Sequence, residues 1–223
     1  MRMPPARSKA CLVDFRLYLI TDRMQTAGRA LPAVVADALR GGLRAVQLRE
    51  KDLESAQLFE LAAELRHLTR KFDAKLLIND RIDVALAVAA DGVHLGKAGL
   101  PVSAARRILG SQRLIGYSAH SVAEALQAQQ DGADFVTVGP VYQTPSKALY
   151  GEPLGLRALA EAARVVTIPV FALGGVKLTS VAEVLAAGAQ GVALISAIMA
   201  APDPTFETES LLRSIAHHHA SAC

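Results

Sequence analysis

The sequence predicts a single-domain (β/α)8 TIM barrel, an α/β fold, on three observations. Short β-rich runs alternate with Ala/Leu-rich amphipathic stretches from residue 16 onwards. The β-rich runs recur at intervals of roughly 20–35 residues, which suits βαβ crossovers. No GxGxxG follows the first run and no composition break divides residues 16–215, so a doubly wound open sheet is the weaker reading.

The elements follow in order. "RLYLIT" (16–21) is a strand and 30–41 a helix; "LRAVQL" (43–48) is a strand, with a helix over 54–71. "KLLIN" (75–79) leads to a short helix over 82–90, "GVHL" (92–95) to a helix over 101–109, and "RLIGY" (113–117) to one over 121–131. "DFVTVG" (134–139) enters a long loop before a helix over 155–164. "PVFAL" (169–173) precedes a helix over 178–187, and "GVALI" (191–195) a final helix starting near Phe206. Gly and Asp mark the returns ("GGLRAVQ", "AADGVHL", "DGADFVTV", "AGAQGVAL"), where a helix ends and the next strand begins.

Composition bounds the function. With 52% hydrophobic but only 4% aromatic residues, the core is expected to be built from Ala, Val, Leu and Ile. The net charge of +3 is spread over isolated basic residues, which predicts neither a nucleic-acid nor a membrane-surface partner. Cys11 and Cys223 form no CxxC pair or disulfide framework, as expected of a reducing, cytoplasmic setting. The first residues lack an apolar signal region, and no run approaches the ~18 apolar residues of a membrane span. The expected organisation is a flexible tail over 1–14, the barrel over 15–216 and a C-terminal tail over 217–223. Within that tail His217, His218 and His219 are consecutive, do not share one helix face, and read as tail rather than metal site.

Active sites of such barrels lie where the strands exit. Strand 2 exits through "QLREKD": Gln47, Arg49 and Lys51 alternate onto one side, an arrangement suited to a phosphate or diphosphate unless Glu50 and Asp52 pair with the cations. Strand 3 exits through "INDRID", where Asn79 can read a heterocycle and Asp80 can bind magnesium or cap the next helix; Asp83 serves the helix dipole. After strand 5, Ser118 is a ligand contact and His120 a substrate-binding donor to phosphate, an acid–base group or a loop support, with Ser121 capping the helix. The loop after strand 6 spaces Thr144, Pro145, Ser146 and Lys147 as an anion site or flap. Gly174 and Gly175 after strand 7, with Ile195 and Ser196 after strand 8, are candidates for a backbone phosphate site.

Taken together, "QLREKD", "LINDRIDVALAVAADGVHLG", "IGYSAHS", "GADFVTVGPVYQTPSK", "ALGGV" and "GVALISAI" resemble the thiamine phosphate synthase family over about residues 16–215. The resemblance implies a (β/α)8 barrel that joins hydroxymethylpyrimidine diphosphate to a (carboxy)thiazole phosphate, giving thiamine monophosphate and diphosphate. It implies that Gln47, Arg49 and Lys51 hold the pyrimidine diphosphate, Asn79 reads the pyrimidine, and Ser118 and Lys147 meet the diphosphate. It further implies that Thr144 to Ser146, Gly174 and the Ile195–Ser196 backbone meet the thiazole phosphate, and that Asp80 binds Mg2+.

One stretch departs from the family pattern. "HLGKAG" stands where "HLGQxD" is usual, so Gly99 replaces a second magnesium-binding acid and Lys97 replaces Gln. Weakened metal dependence is expected, with Lys97 supplying charge to the diphosphate. The alternatives are a thiazole tautomerase of the same family, disfavoured by Pro140 where such sequences can carry His, and a non-catalytic thiamine-phosphate-binding regulator. A homodimer is compatible with the sequence.

Overall fold

The computed structural model describes residues 13–144 and 152–221. Eight parallel strands close into a barrel in sequence order: β1 (Leu17–Ile20), β2 (Ala45–Leu48), β3 (Lys75–Asn79), β4 (Gly92–Leu95), β5 (Leu114–Ala119), β6 (Phe135–Val138), β7 (Val170–Leu173) and β8 (Gly191–Leu194), with β1 pairing to β8. The helices are α1 (Leu31–Arg40), α2 (Ser55–Lys71), α3 (Ile82–Ala87), α4 (Val102–Leu109), α5 (Val122–Gln130), α6 (Gly155–Val165), α7 (Val181–Ala186), α8 (Ser196–Met199) and α9 (Pro204–Ser221). The expected barrel is therefore present, with differences at element ends. The short α8 was not foreseen, and α9 continues through His217 and His218, where a tail was expected. Leu211 and Ile215 anchor that helix in the core, and no Gly or Pro follows to stop it.

Two apolar layers result from strand alternation. Outward-facing residues such as Leu19, Val46, Ile78, Val93, Ile115, Val136 and Val192 pack under the helices. This layer is aliphatic, as the composition predicts. The barrel bore corrects that expectation: Phe15, Tyr18, Phe135 and Phe171 fill it with Ile20, Ala45, Leu77, Leu114 and Ala193. Five ring pairs among the four aromatics lie at centroid distances of 5.4–5.6 Å, three of them edge-on. Each such pair contributes about 0.5–1.5 kcal/mol beyond its burial. Few rings suffice because one bore is narrow, and small residues make room for them. A Cβ on Gly116 would overlap both the Phe135 ring and the His94 imidazole.

The Asp residues at two helix-to-strand returns also gain a physical role. Asp91 accepts from Leu76 N at 2.8 Å and pairs with Arg66 at 2.6 Å. Asp134 accepts from Ile115 N at 2.8 Å and pairs with Arg106 at 2.5 Å. Each carboxylate ties the start of its own strand to the strand before it, at the end of the barrel remote from the exits.

Candidate active site

Above the aromatic bore the inward-facing positions turn polar. Gln47, Asn79, His94, Ser118 and Thr137, from β2 to β6, form one layer. Gln47 and His94 are each only 1% exposed, whereas Asn79 and Ser118 are half-buried and open toward the strand exits.

Two hydrogen-bonded chains organise this layer. In the first, Gln47 Nε2 donates to Asn79 Oδ1 at 2.9 Å, and Asn79 Nδ2 donates to Asp80 Oδ2 at 2.8 Å. Asp80 Oδ1 accepts from Gly96 N at 3.1 Å. Its carboxylate can only accept, so the orientation of both amides is set from that end. Gln47 Oε1 is left buried with no partner among the described residues. In the second chain, His94 Nε2 lies 3.0 Å from Ser118 Oγ and His94 Nδ1 lies 3.4 Å from the Tyr18 hydroxyl. Burial, followed by the charge of Arg49, lowers the His94 pKa to about 3; burial raises that of Tyr18. Both groups are neutral at pH 7.

Asp80 is not the helix cap that was one of its expected roles. The residue preceding α3 is Arg81, without a side-chain cap, and Asp80 sits at φ 57°. A non-glycine residue there is strained, and the strain aims its carboxylate across the strand exits toward Gly96. Asp83 lies in the first turn of α3 as expected; its hydrogen bonds to Arg81 hold its pKa down at about 2.

At the exit of β2, the carboxylates that could have neutralised the cations are engaged elsewhere. Arg23 forks onto Asp52 at 2.5 and 2.6 Å and reaches Glu50 at 3.2 Å. Glu50, itself buried, also accepts from Thr21 Oγ1 at 2.7 Å, and Thr21 Oγ1 accepts in turn from Arg49 N at 2.9 Å. Among the described residues neither Arg49 nor Lys51 forms an ion pair. β2 ends at Leu48, so Arg49 stands half-buried at the mouth and Lys51 exposed on the following turn, rather than both continuing one extended face.

The remaining expectations divide. Gly99 does stand beside Asp80: a Cβ there would overlap Asp80 Oδ1. Lys97, expected to supply charge to the diphosphate, is exposed, with its ammonium 3.9 Å from Glu124. His120 N donates to Glu124 Oε2 at 2.7 Å, and its ring stands 3.6 Å from the same carboxylate, consistent with loop support; Ser121 caps α5 by accepting from Glu124 N. Gly174 and Gly175 adopt positive φ and pack against Pro140 and Tyr142, so neighbouring backbone leaves no space for side chains there. Ile195 and Ser196 open α8 at the same face, and Thr144 lies at the end of the described part of the strand-6 loop. Pro145, Ser146 and Lys147 lie outside the described residues.

Sequence reading missed His94, Tyr18, and the Arg23–Glu50–Thr21 brace. A signal for His94 was present: in "GVHLG" it shares strand parity with Gly92 and Gly96, and so faces the bore. Arg23 carried no such signal, because its partners lie 27 and 29 positions away.

For magnesium, the donor set fits only in a limited way. Asp80 is one carboxylate at the mouth, and no group of three or more His, Cys, Asp or Glu among the described residues could enclose a metal. A single carboxylate beside two cations suits Mg2+ that arrives with phosphate oxygens, since Mg2+ keeps several waters and commonly bridges protein to phosphate.

A family model described as thiamine monophosphate synthase matches residues 17–198. A curated protein of Geobacter sulfurreducens is 60% identical over 90% of this chain and 94% of its own length. A thiamine-phosphate synthase of Chloroflexus aurantiacus is 47% identical, over 92% of this chain and 94% of that protein. Among solved structures, a thiamine phosphate pyrophosphorylase from Pyrococcus furiosus superposes with a TM-score of 0.84 at 38% identity, covering 94% of this chain and 98% of that one.

Proposed function

The chain belongs to the thiamine monophosphate synthase family, and from that premise we propose how its barrel mouth joins an aminopyrimidine diphosphate to a thiazole phosphate. The activity is that of a thiamine-phosphate synthase, a transferase of thiamine biosynthesis. No helix among the described residues is long and apolar enough to cross a membrane.

The observation that carries the site assignment is the unpartnered Gln47 Oε1. A buried acceptor without a donor costs about 1–3 kcal/mol, and a ligand N–H removes that cost. The exocyclic amino group of the pyrimidine supplies one. This moves Gln47 from the diphosphate, where an acceptor would repel, to the ring beside Asn79. The diphosphate then lies outward, against Arg49 and Lys51, with the Ser118 hydroxyl as a donor.

In the reaction the bond from the pyrimidine methylene carbon to the diphosphate oxygen breaks, and the electron pair leaves with the diphosphate. The thiazole nitrogen donates its pair to the resulting cation, forming the new C–N bond; with the carboxylated thiazole, carbon dioxide also departs. Arg49 and Lys51 stabilise charge that grows on the leaving group, which is the larger part of what such a site does. The apolar bore beneath keeps bulk water from the cation. Asp80 would hold Mg2+ at the mouth, where the ion would supply further charge to the leaving diphosphate. Thr144, Gly174, Ile195 and Ser196 surround the place left for the thiazole phosphate.

The test is direct. Purified protein, both substrates and Mg2+ should yield thiamine monophosphate and diphosphate in equal amounts. A preparation that is folded yet forms neither product, while isomerising the thiazole carboxylate phosphate, would establish the tautomerase instead.

A further inference from the structure

We propose that Tyr18, His94 and Ser118 form a one-way hydrogen-bond relay, in which His94 is a positioning residue that turns the Ser118 hydroxyl hydrogen toward the departing diphosphate. The role at the diphosphate rests on the synthase reading above; the relay itself rests on geometry.

The direction of the relay follows from its buried end. Tyr18 is fully buried, with Phe15, Phe135 and Phe171 around its ring. Among the described residues its hydroxyl has one polar neighbour, His94 Nδ1 at 3.4 Å. A phenol that keeps its proton in such surroundings must donate it there, because the opposite arrangement would leave the hydroxyl hydrogen buried without an acceptor. His94 Nδ1 is therefore the acceptor. A neutral imidazole carries one N–H, so the hydrogen is on Nε2, which stands 3.0 Å from Ser118 Oγ. Ser118 Oγ accepts it.

This leaves the Ser118 hydrogen to point elsewhere. Among the described residues Thr137 Oγ1 lies 3.5 Å from Ser118 Oγ, at the long limit of a hydrogen bond and on the donor side of it. A phosphoryl oxygen at the mouth is the better acceptor. Donation by His94 also polarises the serine hydroxyl, which strengthens its own donation. A serine without this neighbour would distribute its hydrogen over several rotamers. The relay thus converts an adaptable hydroxyl into an oriented donor with no charge of its own. The tight fit of the imidazole against Gly116 and the Phe135 ring, 5.6 Å between centroids, keeps it from turning.

Two measurements test this. In the full-length protein without substrates, 15N NMR of labelled histidine should show His94 with a protonated Nε2 and a bare Nδ1, the resonance being assigned through its contacts with the Phe135 ring. A hydrogen on Nδ1 overturns the relay, whatever the protein catalyses. In turnover, His94→Gln should lower kcat about tenfold, roughly the loss of one oriented hydrogen bond, with KM for the thiazole phosphate unchanged. In a Ser118→Ala background the same substitution should cost less than about twofold, because its route to the substrate is gone. Losses that multiply would make His94 structural and end the proposal. If His94→Gln does not fold, Tyr18→Phe serves in the same cycle, with about a threefold loss expected alone and none beside Ser118→Ala. Failure of the wild-type protein to make thiamine monophosphate would count against the synthase reading alone, since the tautomer is read without turnover.

Discussion

Replacing Gln47 with Met should separate stability from recognition. Met has nearly the length of Gln and no strong acceptor. In the free protein the substitution removes the buried, unpartnered Oε1, relieving about 1–3 kcal/mol, and also removes the 2.9 Å bond from Nε2 to Asn79 Oδ1, losing about 0.5–1.5 kcal/mol. Asn79 is half-buried, so water can replace the lost donor. The balance runs from about 0.5 kcal/mol less stable to about 2.5 kcal/mol more stable. For a chain of this size that runs from a fall of about 2 °C to a rise of about 10 °C in Tm. Binding moves the other way: the pyrimidine amino group loses its acceptor, at about 1–3 kcal/mol, or roughly 5- to 150-fold in Kd. Thermal melts and titration calorimetry with the pyrimidine diphosphate read both quantities. A Gln47→Met protein that melts well below wild type and binds the pyrimidine equally well would refute the reasoning, because Gln47 would then be a structural residue.

Three further outcomes follow from the same geometry. Arg49→Ala should weaken pyrophosphate binding by about 1.5–3 kcal/mol in calorimetry, since a charge-assisted contact is lost; unchanged affinity would remove Arg49 from the site. Gly99→Ala should push the Asp80 carboxylate away from Gly96 N and raise the Mg2+ concentration needed for pyrophosphate binding, while Gly99→Asp should need less Mg2+ than Gly99→Ala because it adds a carboxylate; identical Mg2+ titrations for all three proteins would dismiss position 99 as a determinant. Arg106→Ala should destabilise by about 3–5 kcal/mol in urea unfolding, because it strands the Asp134 carboxylate, whose side chain is 2% exposed; a loss below about 1 kcal/mol would show that water reaches it.

The barrel was legible because a parallel sheet needs apolar strands at regular intervals, and "KLLIN" and "GVHL" occupy the expected residues without revision. Ends were less legible where local signals were absent. Nothing in "ISAIM" distinguishes a loop from the one-turn helix α8, and nothing after Ile215 announces that α9 continues. At the site, side chains whose position follows from strand parity could be read directly, as with Gln47 and Asn79. Partners could not. Composition placed the carboxylates Glu50 and Asp52 beside Arg49 and Lys51, but the fold hands both to Arg23, from a different strand exit. Parity put Gln47 on the inward side without revealing the polar layer it belongs to or the direction of its hydrogen bonds. That depends on one carboxylate, Asp80, at the end of the first chain, and one phenol, Tyr18, at the end of the second.

The four rings that fill the bore have a consequence for traffic. A barrel stoppered at the lower end by Phe15, Tyr18, Phe135 and Phe171 is a well with one opening. Gln47 lies two positions below Arg49 on the same strand exit, and Arg49, Thr144 and Gly174 share the rim. On the proposed reading, a pyrimidine resting on Gln47 would lie underneath a thiazole phosphate resting on the rim, and passage would be in single file. The molecule read at the bottom would enter before the one received at the top and, once the two are joined, would leave only as part of it. A queue of this kind needs no moving gate; it is imposed by a floor of aromatic carbon.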